Sequence, residues 1–102
     1  MSEVRVVLAD DHTLVRAGLR KLLESVPNLT VVGEAQDGLE LLSLVEKLQP
    51  DLVLMDIRMP RLDGLNALRI LRRLAPSIPV IMFTGQAGQG AESEPEFRVA
   101  GL

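Results

Sequence analysis

Four short apolar runs alternate with three segments of helical period, and few folds accept that order. The runs are Val4-Arg5-Val6-Val7-Leu8-Ala9, Leu29-Thr30-Val31-Val32, Leu52-Val53-Leu54-Met55 and Val80-Ile81-Met82-Phe83. The third is apolar throughout, as a strand covered on both faces should be. Between the first two runs, Val15, Leu19, Leu22, Leu23 and Val26 line one face of a helix predicted over 13–26. Pro27-Asn28 ends it. Asp37, with Glu40 three residues later, is a capping-box pattern for a second helix that turns Leu41, Leu44, Val45 and Leu48 inward. Pro50 stops that helix. A loop over 56–63 follows the third run, and Asp63 caps a third helix over 64–74, with Leu65, Leu68 and Leu71 in line. The order β-α-β-α-β-α-β with short linkers predicts an α/β fold, an open parallel sheet with right-handed crossovers.

Open parallel sheets collect ligands at the carboxyl ends of their strands. Asp10, Asp11, Asp56 and Thr84 all stand there. Gathering carboxylates at one edge is costly unless a cation joins them. Mg²⁺ is the candidate, because it favours oxygen ligands and keeps several waters. A cation beside an accessible Asp is a setting for phosphoryl chemistry. Taken singly, these residues have plainer uses. Asp11 could cap the first helix, Asp10 could be a solvated second acid, Asp56 could open a turn and Thr84 could end a strand. Their alignment at one sheet edge favours the metal reading. His12 reads as structural or solvated, Arg69, Arg72 and Arg73 as a solvated helix face, and Met55, Met59 and Met82 as packing residues.

A chain of 102 residues suffices for one small domain. Phe83 and Phe97 are its only aromatics, so the core must be aliphatic. A net charge of −3 argues against direct nucleic-acid binding through a basic face. With no cysteine there is no disulfide framework or thiolate metal site. No apolar stretch approaches the roughly 20 residues of a membrane span, and Met1-Ser2-Glu3 does not begin a signal peptide, so a cytoplasmic location is expected. From Gly85 the character changes. Residues 85–95 hold three glycines, a proline and no large apolar side chain, and read as loop. The expected organisation is a domain over 1–85 and a divergent or flexible tail over 86–102, in which 97–102 could form a helical turn or a short strand.

At three places the chain resembles the receiver domain of bacterial two-component response regulators. Val6-Val7-Leu8-Ala9-Asp10-Asp11-His12, continued by Val15-Arg16-Ala17-Gly18-Leu19, is similar to the NarL/FixJ-type subfamily. Asp51-Leu52-Val53-Leu54-Met55-Asp56-Ile57-Arg58-Met59-Pro60, followed by Asp63-Gly64, resembles the phosphorylation loop, and Val80-Ile81-Met82-Phe83-Thr84-Gly85 resembles the fourth strand. The resemblance implies a flavodoxin-like sheet of order 2-1-3-4. It implies that Asp56 accepts a phosphoryl group from a histidine kinase. Asp11, Asp56 and the backbone carbonyl of Arg58 would ligate Mg²⁺, and Asp10 would act through a bound water. Thr84 would hydrogen-bond a phosphoryl oxygen, and Gly85 would leave the phosphorus open.

The departures matter as much. The family's fifth-strand lysine, usually before a proline, has no counterpart, since the only lysines are Lys21 and Lys47 on predicted helices. The fifth strand's aromatic, the fifth helix and a helix-turn-helix output domain are also missing. The expectation is therefore a truncated receiver, a signalling domain rather than an enzyme, with phosphotransfer impaired. A bare fourth-strand edge and an uncovered first helix would favour a dimer or intertwined homo-oligomer. The alternative is a fragment that binds Mg²⁺ or self-associates without phosphorylation. A haloacid dehalogenase-type phosphatase would need an Asp where Arg58 stands.

Overall fold

Two strands apolar on both faces sit at the middle of the sheet, and the rest is arranged around them. The computed structural model describes residues 3–84 and the backbone of Glu96–Val99. In it, β1 (Val4–Ala9) lies between β2 (Leu29–Ala35) and β3 (Leu52–Asp56), with β4 (Val80–Thr84) beyond β3. All three pairings are parallel. This is the expected 2-1-3-4 order.

The strands' period of two divides their side chains between two cores. On one face Val7, Ala9, Val53, Met55, Val80 and Met82 meet Leu41 and Val45 of α2 (Gly38–Leu48) and Ala67 and Leu71 of α3 (Gly64–Leu74). On the other, Val6, Leu8, Val31, Leu54 and Phe83 meet Leu19 and Leu23 of α1 (Thr13–Glu24). Met55, Met59 and Met82 are all in the first core, as expected.

The caps of the later helices form as their sequences predict. Asp37 Oδ1 accepts from the Glu40 amide at 2.8 Å, and Glu40 Oε1 accepts from the Gln36 amide at 2.7 Å. Asp63 Oδ1 accepts from the Asn66 amide at 2.9 Å. Such a cap stabilises a helix by about 1 kcal/mol.

Four expectations are corrected. First, β2 runs on to Ala35, and the register slips from Val6↔Val31 to Val7↔Gly33, so that Val32 is an extra residue in the strand. Second, α1 ends at Glu24, and Leu22 and Val26 are 67% and 47% exposed. That helix packs on the sheet through Leu19 and Leu23, and Leu22 lies about 100° around the helix from Leu23, toward solvent. Third, Leu65 points to solvent at 56% exposure, while Gly64, Ala67 and Leu71 face the core. Leu68 and Leu71 keep their expected inward positions, and Gly64 and Ala67 take the close contact beside them. Fourth, the β4 edge is not bare: β5 (Glu96–Val99) pairs with it antiparallel, from Thr84↔Glu96 to Ile81↔Val99. An antiparallel return avoids the long crossover that a parallel neighbour needs. Among the described residues there is no parallel fifth strand and no fifth helix, as expected. The predicted loop over 85–95 lies outside the described residues.

Candidate functional site

Strand register decides which acids meet. Ala9 pairs with Met55, so Asp10 and Asp56 follow side by side at the carboxyl edge. The Asp10 amide still donates to Ala35 O at 3.0 Å, and the Ile57 amide to Phe83 O at 2.8 Å. Both acids are therefore held by the ladder before the chain leaves the sheet. Both are also buried, at 0% and 2% exposure. Each turns the chain that follows it: Asp10 Oδ1 accepts from the His12 amide at 2.8 Å, and Asp56 Oδ1 from the Arg58 amide at 3.0 Å.

A glycine closes the loop behind Asp56. The Gly64 amide donates to Ile57 O at 2.8 Å. A Cβ on Gly64 would come within 2.7 Å of Asp56 O and 2.8 Å of Ile57 Cα. Only a residue without a side chain lets α3 start this close to the strand end.

One carboxylate oxygen each from Asp10, Asp11 and Asp56, with one ring nitrogen of His12, lie within 4.8 Å of one another. His12 Nδ1 is 3.1 Å from Asp11 Oδ1 and 3.3 Å from Asp10 Oδ1. The expected gathering of Asp10, Asp11 and Asp56 is thus present. The plain reading of Asp11 as a helix cap is not, because His12 occupies the N-cap position of α1 and no side chain caps it. The His12 side chain is 58% exposed, in keeping with the solvated reading, and the turn after Asp10 brings its ring beside Asp10 and Asp11. Asp10 Oδ2 is buried and has no hydrogen-bond partner among the described residues. A buried carboxylate oxygen without a donor is costly. A hard cation set among carboxylate oxygens relieves that cost, so the residues present fit Mg²⁺.

Arg16 was legible only as a helix residue, yet it braces the site. Its Nε donates to Glu34 Oε1 at 2.9 Å and its Nη1 to the Asp10 carbonyl oxygen. Its side chain is only 13% exposed. Arg20 shares Glu34, and the Glu34 and then the Glu24 carboxylates hold its guanidinium above its ordinary range. Glu34 reaches this position because β2 extends past Val32.

Thr84 ends β4 one residue beyond Phe83, which is in register with Asp56. Arg58 lines an open cleft of about 460 Å³ together with Asp11, His12, Met59, Pro60 and Asp63. Lys21 and Lys47 sit in the last turns of α1 and α2 and do not line that cleft. Arg69 and Arg73 are exposed as expected, but Arg72 is not simply solvated: its Nη1 donates to Ile78 O at 3.1 Å and its Nε is buried. Gly85 lies outside the described residues.

These features are those of a response regulator receiver domain, and the family described by that name matches residues 6–94. The chain belongs to that family. It is 42% identical over 91 residues to a protein-glutamate methylesterase/protein-glutamine glutaminase of Pyrococcus abyssi, covering 89% of this chain and 24% of that protein. It is 44% identical over 81 residues to the response regulator GacA of Pseudomonas aeruginosa, covering 79% of this chain and 38% of the relative. The signal receiver domain of the NarL response regulator from Mycobacterium tuberculosis superposes with a TM-score of 0.79 at 35% identity, covering 87% of this chain and 72% of that one. The chain thus spans about a quarter to two-fifths of these two full-length relatives. Among the described residues no helix is long and apolar enough to cross a membrane.

Proposed function

We propose that this chain is a phosphoacceptor module in which Asp56 receives a phosphoryl group from a histidine kinase. One observation carries the reading: Asp10, whose buried Oδ2 has no hydrogen-bond partner among the described residues, belongs to a group of three carboxylates that includes Asp56. Asp11, Asp56 and the Arg58 carbonyl are the direct ligands for Mg²⁺ in this proposal, with Asp10 acting through water. Bound there, the cation would neutralise charge on the phosphoryl oxygens. An Asp56 carboxylate oxygen attacks phosphorus in line, the bond to the kinase imidazole nitrogen breaks, and an acyl phosphate forms while the imidazole leaves. Thr84, half-buried at the end of the adjacent strand, is the hydrogen-bond donor to a phosphoryl oxygen. Neither Lys21 nor Lys47 lines the cleft, so neither supplies a cation to the phosphoryl oxygens, and transfer by the residues described is slow. The receiver unit is 1–85 and the tail 86–102, and the setting is cytoplasmic.

Incubation with acetyl phosphate and Mg²⁺ should add one phosphate mass to the wild-type chain and none to Asp56→Asn. Saturable Mg²⁺ binding without that mass would replace the proposal with a binding-only fragment.

A second reading concerns assembly. Leu14 and Leu22 on α1 are 86% and 67% exposed. We infer that this apolar stripe joins two copies. A light-scattering mass equal to the monomer would overturn it.

A further inference from the structure

The loop between Asp56 and α3 contains a strained turn that is tied to a different helix. The Leu62 amide donates to Pro60 O at 2.7 Å, two residues back, and the residue between them, Arg61, has φ of 67°. This is a γ-turn of the positive-φ kind, which is rare and strained for a side chain as large as arginine. Such a conformation persists only where its surroundings impose it. Two contacts do so here. Arg61 Nε and Nη2 lie 3.1 Å and 3.0 Å from Asp37 Oδ2. The Leu62 carbonyl packs against Gly38 so closely that a Cβ there would lie 2.1 Å from its oxygen. Asp37 serves both partners at once, since its other oxygen, Oδ1, caps α2. Its side chain is 14% exposed. The Glu40 amide first, and Arg61 after it, hold the Asp37 carboxyl below its ordinary range. Arg61 itself does not line the cleft with Arg58, Met59 and Pro60.

We propose that Asp37 and Arg61 are positioning residues for the acid pocket. Their ion pair clamps the loop 57–63 onto the start of α2 and thereby sets where the Arg58 backbone stands beside Asp56. The functional half of this inference rests on the reading of Asp56 as the phosphoacceptor; the clamp itself does not. Gly38 is the seat of the clamp, and Arg61 is its latch.

The test uses the whole chain, with Asp37→Asn, Arg61→Asn and the double variant. Asparagine still caps α2 and tolerates positive φ, so each substitution removes the charge pair and keeps the fold. Without Mg²⁺, the Gly64 and Leu62 amides should exchange with solvent about three- to fivefold faster in either single variant. The double variant should be no faster than the singles, while the thermal midpoint of Arg61→Asn stays at or above that of wild type. Titration with Mg²⁺ alone, followed through the amide shifts of Asp11 and Arg58, should show affinity weakened by a similar factor. Arg61→Lys should restore part of both. Wild-type exchange rates in both singles, or additive effects in the double, would overturn the clamp. Faster exchange with unchanged Mg²⁺ affinity would overturn its positioning role. A wild-type chain that never saturates with Mg²⁺ would sink the phosphoacceptor reading instead, and the exchange rates would still judge the clamp.

Discussion

The two faces of the sheet are built differently. On one, α2 and α3 carry aspartate caps and bury Gly38, Leu41, Val45, Gly64, Ala67 and Leu71. On the other, α1 has no side-chain cap, no acidic residue in its first turn and no buried residue. Yet α1 is the helix that begins at the acid pocket. Beside the packing of Leu19 and Leu23, Arg16 ties its first turns to Glu34 and to the Asp10 carbonyl. Hydrophobic burial secures the face that carries the loop after Asp56. Charged hydrogen bonds secure the face next to Asp10 and Asp11.

Four experiments bear on this contrast. The largest effect belongs to Leu71→Ala. It opens a cavity in the tightly covered face and should destabilise the chain by about 2–5 kcal/mol in denaturant titration. A loss below about 1 kcal/mol would mean the two faces are equally loose. Arg16→Ala should cost about 2 kcal/mol, because it removes charged hydrogen bonds at a mostly buried guanidinium. Its amide exchange should quicken first in α1, and uniform quickening would erase the distinction drawn here.

A smaller effect comes from Asp37. Its carboxyl is lowered below the ordinary value of 3.8 in the folded chain. Its contribution to stability is therefore present above the unfolded value and lost as pH falls through the lower folded one. The stability gap between wild type and Asp37→Asn should be full at neutral pH and close only below about pH 4. A gap independent of pH would show that the charge is idle. The smallest effect belongs to Leu22→Ser, which should move stability by no more than about 0.5 kcal/mol. A large loss at that exposed leucine would show that α1 is covered in solution, and a fall in molecular mass on the same change would favour a second copy as the cover.

Much of the fold is legible in the sequence because it depends on local period and punctuation. The apolar runs, the stops at Pro27 and Pro50, and the caps at Asp37 and Asp63 all act within a few residues. The site was legible where acids end strands, at Asp10, Asp11 and Asp56. Arg16 was not, because its contacts depend on Glu34 and on the Asp10 carbonyl. Leu65 was misread because a helical stripe inferred from leucines ignores that Gly64 and Ala67 allow the closest approach. The antiparallel β5 could not be read from four residues of mixed character.

By itself the sequence determined the alternation of strands and helices, their order and the carboxylates at the strand ends, since those follow from neighbours in the chain. Only the tertiary structure decided which oxygen of Asp10 is left without a donor, which arginine braces the acids and which one latches the loop. Those outcomes depend on contacts between Arg16 and Glu34, or Asp37 and Arg61, that are 18 and 24 residues apart in the chain. Strand register and helix packing create such contacts, and no local pattern encodes them.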